Sequence, residues 1–233
     1  MRLAIIITGH IRTWEKTKDS FVKSFSKFNP DVFLTTYDKK YGFAPYIRDL
    51  TKYYEDEDIG EDQIRAMFDG INLVNLTVDS SEEMDKYLDK IKDNIKIKYE
   101  NIASFYPQFY KLKREFDVLR EYEKLHNFNY DVIIKTRCDL VYNDFSADLT
   151  PNNVLIDKGN VYPNDVILIS MRNNMEKIIE FIPNEFFNPK NPNLSSQWPP
   201  HSIVNAAFQN ANLTPVQLGI VDYVARMNLN QKY

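Results

Sequence analysis

The sequence predicts an α/β fold, with a mixed but mostly parallel sheet flanked by helices in a single domain. Residues 3–7 (LAIII) form an apolar run rich in β-branched side chains, which is typical of a strand buried on both faces. Residues 131–136 (DVIIKT) repeat that pattern later in the chain. A strand, a helix and a second strand occupy the first 36 residues, which indicates a βαβ unit.

The first βαβ unit is predicted from its periodicity. Residues 13–28 place Trp14, Phe21, Phe25 and Phe28 at helical spacing, so these side chains should share one buried face. Asn29-Pro30 ends that helix, and residues 31–36 (DVFLTT) follow as the second strand. The crossover between two parallel strands should be right-handed.

The middle of the chain contains the longest predicted helix. Residues 37–70 read as an excursion with short helices at 44–53 and 61–68, followed by a strand at 72–76 and a helix from Ser80 or Ser81 to about residue 98. The long helix covers residues 104–128. Its apolar stripe consists of Phe105, Phe109, Leu112, Phe116, Leu119 and Leu125. Its charged residues lie off that stripe: Lys113, Arg114, Glu115, Arg120 and Glu121.

The second half of the chain predicts shorter elements. Strands are expected at 154–156, 165–169 and 215–218, and helices at 171–182 and 201–210. Residues 184–200 are rich in proline and asparagine and predict a long loop, which in a compact domain is usually functional or mobile. No linker or internal repeat divides the 233 residues.

Composition excludes several classes of protein. A net charge of -4 without a basic cluster does not favour nucleic-acid binding. The single cysteine, Cys138, cannot form a disulfide within the chain, which suits a reducing compartment. The apolar run at the N-terminus is too short for a signal peptide, and no run reaches membrane-spanning length. These features predict a cytoplasmic protein without a membrane span.

The first candidate site is residues 8–13 (TGHIRT), between the first strand and the first helix. Ligands of open α/β sheets bind outside the carboxyl ends of the strands. Gly9 would allow close approach of a ligand to the backbone, and Arg12 could bind a phosphate with two hydrogen bonds. The alternative is an ordinary strand-to-helix turn in which Thr13 caps the helix.

The second candidate site is residues 135–139 (KTRCD), at the end of another buried strand. A carboxylate there, Asp139, could hold a divalent cation against a diphosphate, with Asp144 as a possible second ligand. Arg137 cannot ligate a metal but can neutralise phosphate charge. The alternative is a structural ion pair between Arg137 and Asp139. By alternation, Cys138 should face the core as inert packing.

Further candidates are less sharply defined. Asp165 is either a general base or a turn residue that caps its own backbone. His10 and His201 are either ligands or ordinary surface residues, with His201 as a possible metal ligand. His126, at the end of the long helix, suits the helix dipole. The start of the long helix offers polar groups that could contact a base or sugar or could be helix surface: Tyr106, Gln108, Lys111 and Arg114.

The segments IIITGHIRTW, DVFLTTYD and SFYPQFYKLKREFDVLREYEKLHNFNYDVIIKTRCDLVY resemble a known family. They are similar to small GT-A-type glycosyltransferases of large DNA viruses and of bacterial polysaccharide clusters. The likeness covers residues 1–40 and 100–145 well and the remainder in outline. It implies a GT-A fold, a UDP- or GDP-sugar donor, and Mn²⁺ or Mg²⁺ as cofactor. It also implies a nucleotide-binding part at about 1–145 and an acceptor-side part at about 146–233.

The resemblance also assigns roles to residues. Gly9 and Arg12 would line the diphosphate, Asp38 would lie near the donor, and Arg137 and Asp139 would occupy the place of the usual Asp-X-Asp. Because Arg137 replaces the first carboxylate, metal binding would rest on Asp139 with help from His201 or Asp144. The full set of predicted donor-binding residues is Thr8, Gly9, His10, Arg12, Asp38, Lys111 and Arg137, with Asp139 and Asp165 as catalytic residues.

The leading hypothesis is therefore transfer of a sugar from a nucleotide donor to a hydroxyl of a glycan or glycoprotein, in the host cytoplasm if the source is viral. A nucleotidyltransferase is a second hypothesis, although it would predict clustered carboxylates for two metals. A non-catalytic binding module with the same fold is a third, which the missing carboxylate favours.

Overall fold

A computed structural model describes residues 1–11, 13–40, 57–91, 102–143, 149–158, 166–186, 199–219 and 221–222. The strands are β1 (Leu3–Thr8), β2 (Asp31–Tyr37), β3 (Leu73–Asp79), β4 (Val132–Thr136), β5 (Val141–Tyr142), β6 (Asn153–Asp157), β7 (Leu168–Met171), β8 (Thr214–Leu218) and β9 (Val221–Asp222). The helices are α1 (Trp14–Phe25), α2 (Glu61–Met67), α3 (Ser81–Ile91), α4 (Ile102–Leu125), α5 (Arg172–Phe186) and α6 (Pro199–Asn210).

Seven of the strands form one mixed sheet in the order β3-β2-β1-β4-β7-β6-β8. Strands β3, β2, β1 and β4 are parallel to one another. Strand β7 runs antiparallel to both β4 and β6, and β6 pairs in parallel with β8. The predicted fold class, a mostly parallel mixed sheet flanked by helices, is confirmed. Strands from both halves of the chain share this sheet, as a single domain requires.

The two faces of the sheet bury different helices. Ile5 and Ile7 of β1 face a core that includes Trp14 and Phe21 of α1 and Ile64 of α2. Alternate residues of the same strands face α4, α5 and α6 on the other side. The chain therefore passes from β1 to β3 along one face and reaches β4 along the other. The connections diverge between β1 and β4, which makes that position the topological switch point of the sheet.

The long helix α4 ends earlier than its sequence predicts. Leu125 is its last residue, and Asn127 adopts a left-handed φ of 54° immediately afterwards. Phe128 N donates to the carbonyl of Glu123, and Asn127 N donates to that of Lys124, which closes the helix end. The turn leaves Leu125 79% exposed, so its predicted place in the apolar stripe is wrong.

Two further predictions of burial are wrong, and some boundaries move. The sequence places Glu115 off the stripe, but it is fully buried, whereas Phe28 is 37% exposed because α1 ends at Phe25.

Helix α5 continues to Phe186, and α6 begins at Pro199 inside the predicted loop. The predicted helix at 44–53 and the end of the one at 81–98 lie outside the described residues. None of the helices described is long and apolar enough to cross a bilayer.

Matched substitutions in α4 test its orientation. Leu119 is fully buried and Leu125 is 79% exposed. We expect Leu119→Ala to lower the free energy of unfolding by about 2–5 kcal/mol, because it leaves a cavity in the core. Leu125→Ala should change it by less than about 0.5 kcal/mol. Urea denaturation measures both, and similar losses for the two variants would contradict this orientation of the helix.

Candidate functional site

The carboxyl ends of β1, β2, β3 and β4 meet at one edge of the sheet, because these strands are parallel. We call this the carboxyl edge. It carries Gly9 after β1, Asp38 after β2, Asp79 at the end of β3 and Arg137 after β4. The switch point between β1 and β4 lies in its middle, where open α/β sheets bind their ligands.

The turn after β1 is shaped by Gly9. Its φ of +114° lies in a region that side chains with a Cβ rarely adopt, and its N–H donates to the carbonyl of Thr35 at 3.1 Å. A Cβ built on Gly9 would meet no atom of the described structure within 4 Å, so there is space above this backbone. Beside it, Thr8 is buried, and its hydroxyl has no hydrogen-bond partner among the described residues.

The start of α1 differs from a conventional capped helix. Thr13 holds the N-cap position, but its side chain makes no capping hydrogen bond. The alternative interpretation of residues 8–13, a plain turn capped by the Thr13 side chain, is therefore wrong in that detail. Arg12 lies outside the described residues, so its contact with a phosphate stays a prediction.

Stacked rings lie beside the Gly9 turn. The imidazole of His10 stacks on the ring of Tyr37 with centroids 4.3 Å apart, and His10 Nδ1 lies 3.2 Å from the carbonyl oxygen of Lys39. Asp38 accepts a hydrogen bond from the backbone N–H of Ser81 at 2.9 Å. Burial tends to raise the pKa of Asp38, but the hydrogen bonds from Ser81 and the charge of Lys39 outweigh it and lower the pKa. The carboxylate is therefore ionised at neutral pH.

Lys111 lies beneath the carboxyl edge rather than on the helix surface. Its ammonium lies 2.7 Å from Asp79 Oδ2, donates to the carbonyl of Thr36 at 3.1 Å, and sits 3.1 Å from the centre of the Tyr37 ring. Only 1% of its side chain is exposed. Burial lowers the pKa of Lys111 to about 8, partly offset by the charge of Asp79. Arg114 also pairs with Asp79, at 2.9 Å.

One turn along α4, Glu115 makes a second buried polar contact with the sheet. It accepts hydrogen bonds from the hydroxyl of Thr35 and from the Asn75 amide, the latter at 2.6 Å. Charged groups four residues apart on α4 thus face the polar ends of β2 and β3. The sequence leaves Lys111 open between a contact to a ligand and ordinary helix surface, and it places Glu115 off the apolar stripe.

Tyr106 also packs inside the protein rather than presenting a contact to a ligand. It is 4% exposed, and its hydroxyl lies 3.3 Å from that of Tyr87 on α3. Burial, together with the hydrogen bond between the two hydroxyls, raises the pKa of Tyr106. This tyrosine joins α3 to α4.

The turn after β4 contains an ion pair with two hydrogen bonds. Arg137 Nε donates to Asp139 Oδ1 at 2.8 Å, and Nη2 donates to Oδ2 at 2.5 Å. The side chain of Arg137 is 20% exposed and that of Asp139 is 6% exposed. The turn is fixed by the Tyr142 hydroxyl, which donates to the carbonyl of Arg137, and by Thr17, which donates to that of Cys138.

Cys138 faces the core between these two residues, as its alternation predicts. It is 2% exposed, and burial raises its pKa well above the ordinary value of a thiol. A protonated, inaccessible thiol is a poor nucleophile, so Cys138 serves as packing.

The residues at the end of β4 do not fit a divalent cation. Both carboxylate oxygens of Asp139 accept hydrogen bonds from the Arg137 guanidinium. In the part of the chain that the structure describes, no group of three histidine, cysteine or acidic side chains could hold a metal ion. The side chains of Asp144, Asp165 and His201 lie outside that part, so their predicted roles stay predictions.

No family model and no curated protein matches the sequence. Two solved structures with a similar fold are those of the glycosyltransferase GlyE of Streptococcus pneumoniae TIGR4, one of them the apo form. Their TM-scores are 0.46 and 0.45, each at 14% identity. The matches cover 94% and 92% of this chain but only 45% and 44% of the GlyE chains. This chain therefore spans less than half the length of those proteins.

The pKa of Lys111 predicts how stability depends on pH. A folded pKa of about 8 lies below the unfolded value of about 10.4, so the unfolded state binds more protons between these values. The contribution of Lys111 to the free energy of unfolding should therefore increase from pH 8 to about pH 10.4.

Comparison with Lys111→Met isolates this contribution, since tyrosines also titrate in that range. We expect wild type to gain stability relative to Lys111→Met when the pH rises from 7 to about 10. Urea denaturation at both pH values measures the difference. A difference between the two proteins that does not change with pH would show that Lys111 keeps an ordinary pKa.

Proposed function

We propose that this protein is a glycosyltransferase that uses a nucleoside-diphosphate sugar. In this reaction the bond between the anomeric carbon and the diphosphate oxygen breaks. The anomeric carbon then forms a bond to an acceptor hydroxyl, whose proton passes to a base, and the nucleoside diphosphate leaves with the bonding electrons. The protein must therefore bind a diphosphate and offset the negative charge that develops on it.

The observation that carries this proposal is the composition of the carboxyl edge at the switch point. Gly9, with open space above it, follows β1, and the partly exposed Arg137 follows the adjacent β4. A ligand placed between these strand ends meets backbone on one side and a guanidinium on the other. Arginine recognises diphosphates with paired hydrogen bonds, and a glycine allows a phosphate to approach the backbone closely. The resemblance of the sequence to GT-A-type glycosyltransferases supports the same position for the donor.

We assign the rest of the donor site to residues at the neighbouring strand ends. We propose that His10 and Asp38 contact the nucleoside part of a UDP- or GDP-sugar, and that Arg12 adds charge next to Gly9. Lys111 is buried, so we assign it no direct contact with the donor in this proposal. Its role is to support the Tyr37 ring, on which His10 stacks.

The acceptor and the base belong to the second half of the chain in this proposal. Asp165 is the proposed base, and the acceptor is a hydroxyl of a glycan or protein bound by residues of the 146–233 part. A carboxylate can serve as base only where it reaches the hydroxyl within hydrogen-bond distance.

A non-catalytic nucleotide-binding module is the second candidate. The Arg137–Asp139 ion pair favours it, because the pair occupies both oxygens of the carboxylate predicted to be catalytic. Such a module would bind the nucleotide without transferring or hydrolysing its sugar.

Thermal denaturation with UDP-, GDP-, CDP- and dTDP-sugars tests the proposed donor site. A ligand at about 100 times its Kd should stabilise the protein by about 2.7 kcal/mol. His10→Ala should reduce that stabilisation, because His10 lies at the carboxyl edge. His126→Ala, which makes the same change at the far end of α4, should not. Absence of stabilisation by every nucleotide sugar would contradict the proposal. Binding without transfer or hydrolysis of the sugar would instead favour the non-catalytic module.

A further inference from the structure

We infer that Asp139 is not a metal ligand, and that the donor diphosphate binds to the Arg137 guanidinium without a divalent cation. Asp139 is then a positioning residue, which holds Arg137 in place. This inference rests on the proposed function for the identity of the donor. The role it gives to Asp139 can be tested without any donor.

Arg137 and Asp139 are paired by two hydrogen bonds. Each oxygen of Asp139 accepts a hydrogen bond from the guanidinium, at 2.8 Å and 2.5 Å. A divalent cation at Asp139 would have to displace Arg137 and would then lie beside an uncompensated positive charge.

The side chain of Arg137 is more exposed than that of Asp139. At the end of β4 the side chain of Arg137 is 20% exposed, whereas that of Asp139 is 6% exposed. A ligand that approaches this strand end therefore meets the guanidinium before the carboxylate. The chemical group that suits such a surface is an oxyanion, and a planar guanidinium can donate two hydrogen bonds to phosphate oxygens.

The other carboxylates of the carboxyl edge are also engaged. Asp38 accepts a hydrogen bond from the N–H of Ser81, and Asp79 pairs with both Lys111 and Arg114. Each acidic side chain described at the ends of β2, β3 and β4 thus already has an N–H or cationic partner. The described edge is arranged to bind anions rather than to ligate a cation.

Two hydrogen bonds hold the backbone of the turn after β4. The Tyr142 hydroxyl donates to the carbonyl of Arg137 at 2.9 Å, and Thr17 donates to that of Cys138 at 2.6 Å. The backbone that carries the pair is therefore fixed from two sides. A guanidinium held in this way loses little freedom when a phosphate binds, which favours affinity without a bridging metal.

Titration of the ligand-free protein with MnCl₂, monitored by the EPR signal of free Mn²⁺, tests the role of Asp139. Wild type should not bind Mn²⁺ at Asp139. Arg137→Asp, which restores two carboxylates one residue apart, should gain a site and be stabilised against heat by MnCl₂. Arg65→Asp makes the same charge change in the exposed Arg65–Glu61 pair and should gain neither. Binding of Mn²⁺ by wild type that is lost in Asp139→Asn would overturn the inference.

The comparison of nucleotide binding with and without a cation needs only wild type, so it holds even where Arg137→Asp fails to fold. Thermal stabilisation by UDP and GDP is compared in excess EDTA and in MnCl₂. Equal stabilisation supports binding without a cation, and stabilisation that requires MnCl₂ overturns it. Arg137→Lys should lose about tenfold or more in nucleotide affinity in EDTA, because an ammonium cannot form the paired hydrogen bonds. If neither nucleotide binds under either condition, the proposed donor fails, and the manganese titration still decides the role of Asp139.

Discussion

The burial of β1 on both faces is the constraint on which the rest of the structure depends. Its residues from Ala4 to Ile7 have no exposed surface, and the strand pairs in parallel with β2 on one side and β4 on the other. A strand so enclosed can present side chains to solvent only beyond its ends. Gly9 and His10 are therefore partly exposed where β1 stops, at the point where the chain connections diverge to opposite faces of the sheet.

The polar ends of the strands place a second constraint on α4. Thr35, Asn75 and Asp79 would each lose a polar contact if α4 were apolar throughout, and a buried polar group that loses its partner is costly. Glu115 and Lys111 provide those partners from within the helix. The helix is apolar where it covers the middle of the sheet and charged where it crosses the strand ends.

Much of the fold could be predicted from the sequence because its strands are short apolar runs and its helices have clear stripes. β1, β2, β4 and the start of α1 follow directly from these patterns. The antiparallel insertion of β7 between β4 and β6 could not be predicted, because pairing partners distant in sequence leave no local signal. The exposure of Leu125 depends on a left-handed residue two positions later, which periodicity alone does not reveal.

The candidate site was predicted in its location but not in its contacts. The strand-end residues Gly9, Asp38 and Arg137 lie on one edge because the strands are parallel, and that much follows from the βαβ pattern. The burial of Lys111 could not be inferred, since a lysine on a helix is usually solvated and the matching carboxylate, Asp79, is 32 residues earlier in the chain. The Arg137–Asp139 pair was one of two possibilities that the sequence left open.

The short pairing of β5 with β9 links the end of the described chain to the strand end that follows β4. Val141 and Tyr142 pair with Asp222 and Val221, and the Tyr142 hydroxyl in turn holds the backbone of Arg137. Two strands that are distant in sequence are thereby connected, through one phenol, to the backbone carbonyl of Arg137. The backbone that carries the Arg137 side chain is therefore supported by a strand from the far end of the described chain.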